Sequence, residues 1–499
     1  MGSLHERNPS LWVGTTEPGD YPPLAGDERA DVVVVGAGIT GLTTARLLVE
    51  AGASVVVIDA GPICAGATGY TTAKVTSLHG LTYTELANHF DEGRARLYGE
   101  ANEAAIAEVA RLVDADGIEC EFQRRAHVVY TTDPAMGDSV AQESSLAASL
   151  GLPASASAAT ELPFDVVGAV RFENQAQFHP RAYCLGLARA ITKAGGRIFT
   201  HTRARQIDGS ERTVVTDRGS LRGSSIVVAT HLPINQMGAY FARCEPKRSY
   251  AIAVRVGGDR PEDMYISVDS PTRSLRAASD HLIVGGEGHK VGEPHDTNEH
   301  YVNLENWARE HFDVKSVDYR WSAQDWSAVD GVPYIGRMAG NDDGVYVATA
   351  FKKWGMTLGT SAGMVLRDLI TGRDNPWLEV FDATRIAPKQ SLKGVISENV
   401  SVLKHFVGDR IGTGNRQTVD DLQPGEGAVV RVGTSAVAAF RDDDGTVHAR
   451  SALCTHLGCL VNFNPAERSW DCPCHGSRFA TDGAVIEGPA VEDLAPEEL

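Results

Sequence analysis

The 499-residue sequence has few positive charges and no long apolar run. Lys and Arg total 46 against 65 Asp and Glu, which gives a net charge of −19. A nucleic-acid partner needs a basic face, so this balance argues against one. No apolar run reaches the roughly 18 residues that a membrane span requires. The polar stretch 1–12 lacks the apolar core of a secretory signal, which predicts a cytoplasmic location.

Cysteine is scarce except near the carboxyl end of the chain. Scattered cysteines in a reducing compartment are usually small core residues, whereas a tight cluster is more often a metal site. The apolar content of 42% excludes wholesale disorder, and the length suggests about three domains. The scattered cysteines are Cys64, Cys120, Cys184 and Cys244, and the clustered ones are Cys454, Cys459, Cys472 and Cys474.

Residues 31–60 have the strand–turn–helix–strand pattern that is typical of dinucleotide binding. A β-branched run is followed by Gly36, Gly38 and Gly41 in G-x-G-x-x-G spacing. The first glycine permits a tight turn, the second lets the backbone approach a pyrophosphate, and the third lets helix and strand pack closely. Asp59, at the end of the second strand, is placed to bind a ribose. A strand–helix–strand unit without a ligand is disfavoured, because every part occurs in register.

The glycine motif alone does not choose between NAD and FAD, but three features favour FAD. The motif begins near the start of the sequence. A Gly/Thr-rich stretch, Gly66–Lys74, follows the second strand, where a flavin must be covered. A further strand–turn–helix segment spans Gly344–Gly372 late in the chain.

In this late segment Val345–Ala348 reads as a strand and Thr357–Ile370 as a helix. Gly355 would let the backbone approach a ring. The helix N-terminus near Met356 and Thr357 would place positive dipole beside a reduced flavin. The alternative is a plain strand–helix connection, since small residues also serve packing.

Residues 10–380 resemble the FAD-dependent oxidoreductases of the D-amino-acid oxidase superfamily, of the glycine oxidase and amine oxidoreductase type. The motifs that carry the resemblance are DVVVVGAGITGL, GATGYTTAK, WSAQDWSAVDGVPYIG and GMTLG. The resemblance implies an α/β, Rossmann-like FAD-binding domain with an inserted α+β substrate domain. It also implies bound FAD, covalent or not, and oxidation of a C–N bond by hydride transfer to the flavin.

By match to this superfamily, Gly36, Gly38, Gly41 and Asp59 bind the nucleotide. The family usually has Glu where Asp59 stands, so the ribose contact is expected to be shorter or water-mediated. The residues that the resemblance places near the isoalloxazine are Thr68, Thr71, Thr72, Gly355 and Thr357. Met356, at the start of the late helix, is a further candidate for binding the cofactor.

The second site lies in the cysteine cluster. Cys454 and His456 form C-x-H, and Cys472 and His475 form C-x-x-H. Four mixed sulfur and nitrogen ligands suit either a tetrahedral zinc or a two-iron cluster. Two more cysteines complete the motifs CTHLGC and CPCHGS, and this pair resembles the Rieske [2Fe–2S] domains of the cytochrome bc type.

This second resemblance implies a small all-β domain with Cys454 and Cys472 on one iron and His456 and His475 on the other. It further implies a disulfide between the remaining two cysteines, Cys459 and Cys474. Ser477 matches the family serine that donates to a bridging sulfide. Phe479 stands where high-potential members have Tyr, so we expect a potential in the middle of the Rieske range. The membrane anchor of respiratory Rieske subunits is not found.

The two resemblances together predict the domain organisation. The FAD-binding domain is expected to be discontinuous, with the substrate domain between its pieces. The predicted boundaries are 28–95, 165–235 and 330–380 for the FAD-binding domain, 96–164 and 236–329 for the substrate domain, 381–415 for a linker, and 416–499 for the Rieske domain.

A flavin accepts two electrons as hydride, whereas a [2Fe–2S] cluster carries one at a time. We therefore expect a dehydrogenase that oxidises an amine or amino acid and relays electrons through the cluster to an external protein or quinone. Two alternatives stay open: an oxygen-using oxidase with a structural Rieske domain, and an electron-transfer protein without a small substrate. A ring hydroxylase is unexpected, because too few residues follow His475 for its iron site.

The candidate catalytic residues are Lys352, Lys353 and His79. Either lysine precedes the helix expected to face the flavin and is a candidate to stabilise negative charge there, the alternative being a solvated lysine. His79 follows the flavin-covering stretch and is a candidate base or substrate contact, although a single His is more often structural. Four aromatic residues are candidates for the wall of the substrate pocket or for the core: Trp321, Trp326, Tyr334 and Trp354.

Overall fold

The computed structural model describes residues 8–157, 159–293, 295–340, 344–385 and 418–499. Most of the predicted linker, 381–415, lies outside these ranges. Within them the helices are α1 (Leu11–Gly14), α2 (Ile39–Glu50), α3 (Thr82–His89), α4 (Glu92–Asp116), α5 (Gly137–Ser149), α6 (Pro180–Lys193), α7 (Asn298–His311), α8 (Gly355–Ile370) and α9 (Leu378–Phe381).

The strands of the first two-thirds of the chain are β1 (Glu28–Val35), β2 (Val55–Ile58), β3 (Lys74–Val75), β4 (Gln123–Thr131), β5 (Ala154–Ala156), β6 (Gly168–Gln177), β7 (Arg197–Phe199), β8 (Ala204–Asp208), β9 (Thr213–Thr216), β10 (Ser220–Val228), β11 (Cys244–Gly257), β12 (Met264–Ser267), β13 (Arg273–Ala278), β14 (His281–Lys290), β15 (Asp313–Ala328), β16 (Tyr334–Arg337) and β17 (Val345–Thr349). The strands after them are β18 (Gly427–Val432), β19 (Ser435–Arg441), β20 (Val447–Ser451), β21 (Asn462–Asn464), β22 (Ser469–Asp471), β23 (Arg478–Ala480) and β24 (Val485–Glu487).

The first sheet is the nucleotide-binding layer. Its strands run in the order β16-β17-β10-β1-β2-β7, and neighbours from β17 to β7 are parallel. The apolar runs Val32–Val35 and Val55–Ile58 are fully buried, as strands covered on both faces should be. Helices α2 and α8 pack together on this sheet. The predicted strand–turn–helix segments are thus confirmed, although α8 begins at Gly355, two residues before the predicted start.

The second sheet has nine strands, most of them antiparallel, in the order β15-β11-β14-β13-β12-β4-β6-β3, with β5 on β6. Its long strands β11 and β15 pair along 244–257 and 313–328. The strand β6 belongs to this sheet, whereas the segment 165–235 was assigned to the FAD-binding domain. The residues of β6 show no regular alternation of buried and exposed side chains, so its sequence does not reveal which sheet it joins. The domain boundaries stay predictions.

The carboxyl-terminal region is all β. A three-stranded antiparallel sheet, β18-β19-β20, lies beside a four-stranded one, β21-β22-β23-β24. The chain turns at Asp444-Gly445 and Asp482-Gly483, where Gly445 and Gly483 have φ of 87° and 89°. An α/β nucleotide-binding domain, an inserted α+β domain and a small all-β domain are therefore confirmed as the fold class. Among the described residues no helix is both long and apolar enough to cross a membrane.

Candidate functional site

The glycine-rich turn after β1 brings the backbone of α2 against the first sheet. A Cβ on Gly36 would lie 2.4 Å from the carbonyl oxygen of Ala229, and Gly36 has a φ of 115°. A Cβ on Gly41 would lie 1.9 Å from the carbonyl oxygen of Gly36. Gly38 occupies the N-cap of α2 and makes no side-chain cap there. This is the close, anion-accepting arrangement that a dinucleotide requires, so the cradle fits FAD.

Asp59 is fixed at the end of β2 by two backbone amides. Ala37 N donates to Oδ2 at 2.7 Å and Gly61 N donates to Oδ1 at 2.8 Å. Burial raises the pKa of Asp59, and these two hydrogen bonds oppose the rise. Each oxygen keeps one lone pair for a further donor, as a ribose contact needs.

The threonines of the flavin-covering stretch all line one large central cavity, but they differ in their contacts. Thr68 Oγ1 accepts from Ile39 N at 3.1 Å, which places Thr68 at the phosphate end of the cradle rather than beside α8. Thr71 and Thr72 line the central cavity with Gly355 and Met356. Roles at the isoalloxazine therefore stay predictions for these residues, and for Thr68 the position favours the pyrophosphate instead.

Side chains from other elements hold the flavin-covering stretch in place by donating hydrogen bonds to four of its successive backbone carbonyls. Trp321 Nε1 donates to Tyr70 O at 2.9 Å, and Trp12 Nε1 donates to Thr71 O at 2.7 Å. The buried Arg276 guanidinium donates to Thr72 O at 2.9 Å and to Ala73 O at 3.2 Å. Because these donors come from separate elements, the segment is rigid where it borders the cavity.

The start of α8 faces the same cavity. The N-cap residue, Trp354, makes no side-chain cap, so the first amides of this 16-residue helix carry its positive end without a side-chain partner. Gly355 and Met356 line the cavity, whereas Thr357 is buried behind it and donates to Thr76 O at 2.7 Å. The helix terminus is therefore at the predicted place, but Thr357 supports it from behind.

The two candidate lysines differ in environment. Lys352 forms an ion pair with Glu85 at 2.6 Å on a partly exposed edge. Lys353 Nζ lies on the cavity wall and donates to Ser249 Oγ at 2.5 Å. Although its side chain is exposed towards the cavity, the dense protein around it lowers the pKa of the Lys353 amine. Both lysines line the cavity, but the Lys352 amine is already paired with a carboxylate there.

Both ring nitrogens of His79 are occupied. Nδ1 faces the Tyr98 hydroxyl at 2.6 Å, and Nε2 faces Thr76 O at 2.7 Å. Burial lowers the pKa of His79 to about 3. The ring stacks on Trp354 at 4.6 Å. These contacts fit a positioning residue beneath the start of α8 and leave no free nitrogen for a base.

A buried lysine that the sequence reasoning did not single out also lines the cavity. Lys74 ends the flavin-covering stretch, and its amine donates to Ser274 Oγ. Burial, and then the nearby Arg276, lower the pKa of Lys74 to about 7. A neutral amine at this position is available near pH 7. The feature of the sequence that could have pointed to Lys74 is its position at the end of GATGYTTAK.

The four aromatic candidates divide into two pairs. Trp321 and Trp354 line the cavity. Trp326 and Tyr334 belong to the hydrophobic core beneath the first sheet. The cavity has a volume of about 2090 Å³ and extends from the glycine turn past the second sheet to the carboxyl-terminal domain.

The four predicted cluster ligands converge in two loops. Cys454 and Cys472 are buried and unbridged, and Cys459 and Cys474 form the predicted disulfide between the loops. The rings of His456 and His475 lie 5.0 Å apart, and Nδ1 of His456 is buried without a partner. A pair of thiols and a pair of imidazoles, one with an unsatisfied nitrogen, is the donor set of a Rieske cluster.

The chemistry of the thiols agrees with this donor set. The neighbouring Cys472 thiol lowers the pKa of Cys454 to about 7, and the Ser477 hydroxyl contributes to the lowering. A thiolate is the form that binds iron. Ser477 Oγ also accepts from Ala490 N at 3.0 Å, which fixes its position. Phe479 is fully buried and offers no donor.

The cluster loops pack against the preceding domains. Phe241 contacts both imidazoles, with ring centroids 5.3 Å from His456 and 5.1 Å from His475. Gln324 Nε2 donates to Gly476 O at 2.7 Å, directly after His475. Gln324 also lines the central cavity. One side chain therefore joins the cavity to the residue that follows a cluster ligand.

A buried histidine links the domains a short distance away. His231 Nε2 lies 2.9 Å from Asp325 Oδ1, and its Nδ1 lies 3.1 Å from Glu487 Oε1 of β24. Burial alone would lower the pKa of His231, but the hydrogen bonds to these two carboxylates outweigh it and raise the pKa to about 9. His231 is thus a cation between two carboxylates of different domains.

A glycine-rich dinucleotide cradle and a Cys₂His₂ loop pair in one chain define a flavin-dependent oxidoreductase joined to an iron–sulfur module. The family described as FAD dependent oxidoreductase (DAO) matches residues 31–369, and the Rieske [2Fe-2S] domain matches residues 416–496. The chain belongs to this FAD-dependent oxidoreductase family and carries a Rieske domain at its carboxyl end.

Relatives agree with this assignment. The Rieske 2Fe-2S iron-sulfur protein YhfW of Bacillus subtilis (strain 168) is 37% identical over 501 residues, which cover 98% of this chain and 97% of that protein. Glycine oxidase from Geobacillus kaustophilus has a TM-score of 0.60 at 18% identity, covering 72% of this chain and 99% of that one. L-amino acid deaminase from Proteus vulgaris has a TM-score of 0.61 at 20% identity, covering 76% and 98%. The two structures share the fold of the flavin domains.

Proposed function

We propose that this oxidoreductase is a dehydrogenase that oxidises the C–N bond of an amine or amino acid and passes the electrons through the Rieske cluster to an external one-electron acceptor. Bound FAD supplies a hydride acceptor, and a bound [2Fe–2S] cluster carries electrons singly. The substrate loses a hydride from its α-carbon and a proton from its nitrogen, and the resulting imine hydrolyses.

The observation that carries the proposal is the placement of Gln324. It borders the cavity and donates to Gly476 O beside His475, with its own amide oxygen fixed by Arg248 Nη2 at 3.1 Å. Arg248 is itself buried and lies 3.8 Å from Asp471 of the Rieske domain. These buried groups are hydrogen-bonded to one another. They therefore favour a fixed route for electrons between the FAD site and the cluster site.

The chain's own groups suit an amine substrate. An alkylammonium ion must lose a proton before its α-hydride can leave, and Lys74 is a buried amine with a pKa of about 7 on the cavity wall. We assign it the role of base. We assign Lys353, at the entrance to α8, the role of stabilising negative charge that arrives on the cofactor.

The proposed FAD contacts follow from the cradle. The N-terminus of α2 holds the pyrophosphate and Asp59 holds the ribose. The residues assigned to FAD are Gly36, Gly38, Gly41, Asp59, Thr68, Thr71, Thr72, Gly355 and Met356, with Thr357 supporting them. The assigned iron ligands are Cys454, His456, Cys472 and His475.

The test is anaerobic single turnover with the holoenzyme. A panel of amines, N-methylated amino acids and amino acids of both configurations is mixed with it, and flavin absorbance and the cluster's paramagnetic signal are followed in time. The flavin is expected to bleach first and the cluster to be reduced next. Gln324→Leu should slow the second phase and spare the first. Gln423→Leu, at an exposed glutamine of the Rieske domain, is the matched control and should change neither.

Two results would replace the proposal with an alternative. A cluster that never takes up electrons while peroxide forms in proportion to substrate indicates an oxygen-using oxidase. A flavin that no member of the panel bleaches, but that exchanges electrons with the cluster, indicates an electron-transfer protein.

A further inference from the structure

Three histidines outside both cofactor sites converge beside the cavity. His289 lies near the end of β14, His300 lies in the first turn of α7, and His295 lies in the connection between them. One ring nitrogen of each lies within 4.8 Å of the other two. The rings of His289 and His300 have centroids 4.7 Å apart.

Each ring directs Nδ1 at a group that only accepts hydrogen bonds. His289 Nδ1 lies 2.7 Å from Lys290 O, and His295 Nδ1 lies 2.8 Å from Glu293 O. His300 Nδ1 lies 3.1 Å from a Glu287 carboxylate oxygen. Each Nδ1 must therefore carry the hydrogen, and each neutral ring presents an Nε2 lone pair. This is the outer arrangement that fixes the tautomer of metal-bound histidines.

When the rings are neutral, their Nε2 lone pairs face one another. His295 Nε2 lies 2.9 Å from His300 Nε2. Two lone pairs at this distance repel unless a proton or a metal ion lies between the nitrogens. The third nitrogen, Nε2 of His289, lies 3.1 Å from the Tyr250 hydroxyl, which is a donor that a metal can displace.

The carboxylate beside the three histidines is paired with other side chains, so the candidate ligands are the imidazoles alone. Glu287 is the nearest carboxylate of the cluster, and Arg273 compensates its charge at 2.8 Å while Asn303 donates to its second oxygen at 3.1 Å. Three imidazole nitrogens suit zinc and its neighbours among the transition metals, whereas magnesium and calcium prefer oxygen. Three protein ligands leave a fourth position for water or another ligand.

We propose that His289, His295 and His300 bind a zinc-class divalent metal ion through their Nε2 atoms. The ion would tie the connection between β14 and α7 to the elements on either side. His289 and His300 line the central cavity, so the fourth position is reached from there.

The Rieske domain packs against this same connection between β14 and α7. Asn462 Nδ2 donates to Gly292 O at 2.8 Å, and Thr297 Oγ1 donates to Asn464 Oδ1 at 2.6 Å. A Cβ on Gly292 would lie 2.5 Å from Pro473 N of the second cluster loop. The metal would therefore stabilise the docked position of the cluster loops.

The first experiment measures zinc bound by the holoenzyme, loaded with flavin and iron, during equilibrium dialysis against Zn²⁺, with elemental analysis of zinc and iron. One equivalent of zinc beyond the iron is expected. His295→Ala changes an exposed side chain and should weaken zinc binding by more than about 100-fold, because loss of even an outer partner costs roughly 10–100-fold. His448→Ala, at a histidine paired with Asp442 in the Rieske domain, is the matched control and should retain the zinc.

The second readout is hydrogen exchange of residues 291–297 with and without Zn²⁺, which should slow on binding in the parent protein and stay unchanged in His295→Ala. Absence of a zinc equivalent in the parent, or equal zinc affinity in His295→Ala, would refute the site. Zinc binding that leaves exchange of 291–297 unchanged would refute its role in docking.

Discussion

Replacement of His231 by glutamine should loosen the contact between the flavin and Rieske domains. Protonated His231 lies between Asp325 of the second sheet and Glu487 of the Rieske domain. The rise of its pKa from 6.5 to about 9 corresponds to about 3 kcal/mol at 1.36 kcal/mol per pKa unit. This is an upper bound, because the side chain keeps 17% of its exposure and solvent screens part of the attraction.

The sign of the pH dependence follows from the raised pKa. A proton bound more tightly in the folded protein stabilises it fully below pH 6.5, and the contribution is lost as the pH rises through about 9. In the parent protein the opening of this interface should therefore become more favourable between about pH 7 and 10. In His231→Gln it should be up to about 100-fold more favourable already at pH 7, since about 1.4 kcal/mol corresponds to a factor of ten.

Hydrogen exchange of β24 and of residues 488–493, corrected for the intrinsic effect of pH, measures this opening. His448→Gln is the matched control, because its partner is a single carboxylate on the surface, and it should exchange like the parent. The reasoning is refuted if His231→Gln exchanges like the parent at pH 7, or if the parent shows no change across the alkaline range.

Three further outcomes are expected. Lys74→Met should lower kcat/KM by about 10²–10⁴-fold and remove an acidic limb near pH 7 that a neutral Lys74 base imposes on the parent, as a pH–rate profile shows. Phe479→Tyr should raise the cluster midpoint on the order of 50 mV in redox titration, since a new hydrogen bond of about 1 kcal/mol acts on a one-electron couple; an unchanged midpoint would mean that the hydroxyl does not reach a sulfur. Gly41→Ala should purify with little FAD because its Cβ would meet Gly36 O at 1.9 Å, whereas Gly168→Ala, whose Cβ has no neighbour closer than 3.8 Å, should retain it.

The parts of the site that were predictable from sequence depend on short segments. The glycine turn, Asp59 and the two cluster loops each combine a spacing with a local geometry, and neighbouring residues suffice to specify them. The start of α8 was also predictable, because an apolar strand precedes a helical pattern. In these segments the residues that form each site are close together in the sequence. Contacts with distant parts of the chain therefore contribute little to their local geometry.

The parts that were not predictable depend on distant partners. Gln324 lies within the motif WSAQDWSAVDGVPYIG and His231 lies outside the motifs, but neither position by itself indicates a role. Their contacts form only when they meet Gly476 and Glu487 of the Rieske domain. The reverse holds for His79, which follows the flavin-covering stretch and was a candidate base, yet Tyr98 and Thr76 occupy its nitrogens. The membership of β6 in the second sheet likewise depends on its pairing with β4, an earlier strand of the chain, and the residues of β6 alone do not encode that partner.

The packing of the two cluster histidines gives the proposed relay a direction. His475 is 5% exposed and is followed by Gly476, whose carbonyl Gln324 binds at the cavity wall. His456 is half-buried, and beside it in the sequence Leu457 keeps 41% of its exposure. In the proposed relay, electrons from the flavin side would reach the cluster near His475, and the more exposed His456 edge would face an external acceptor.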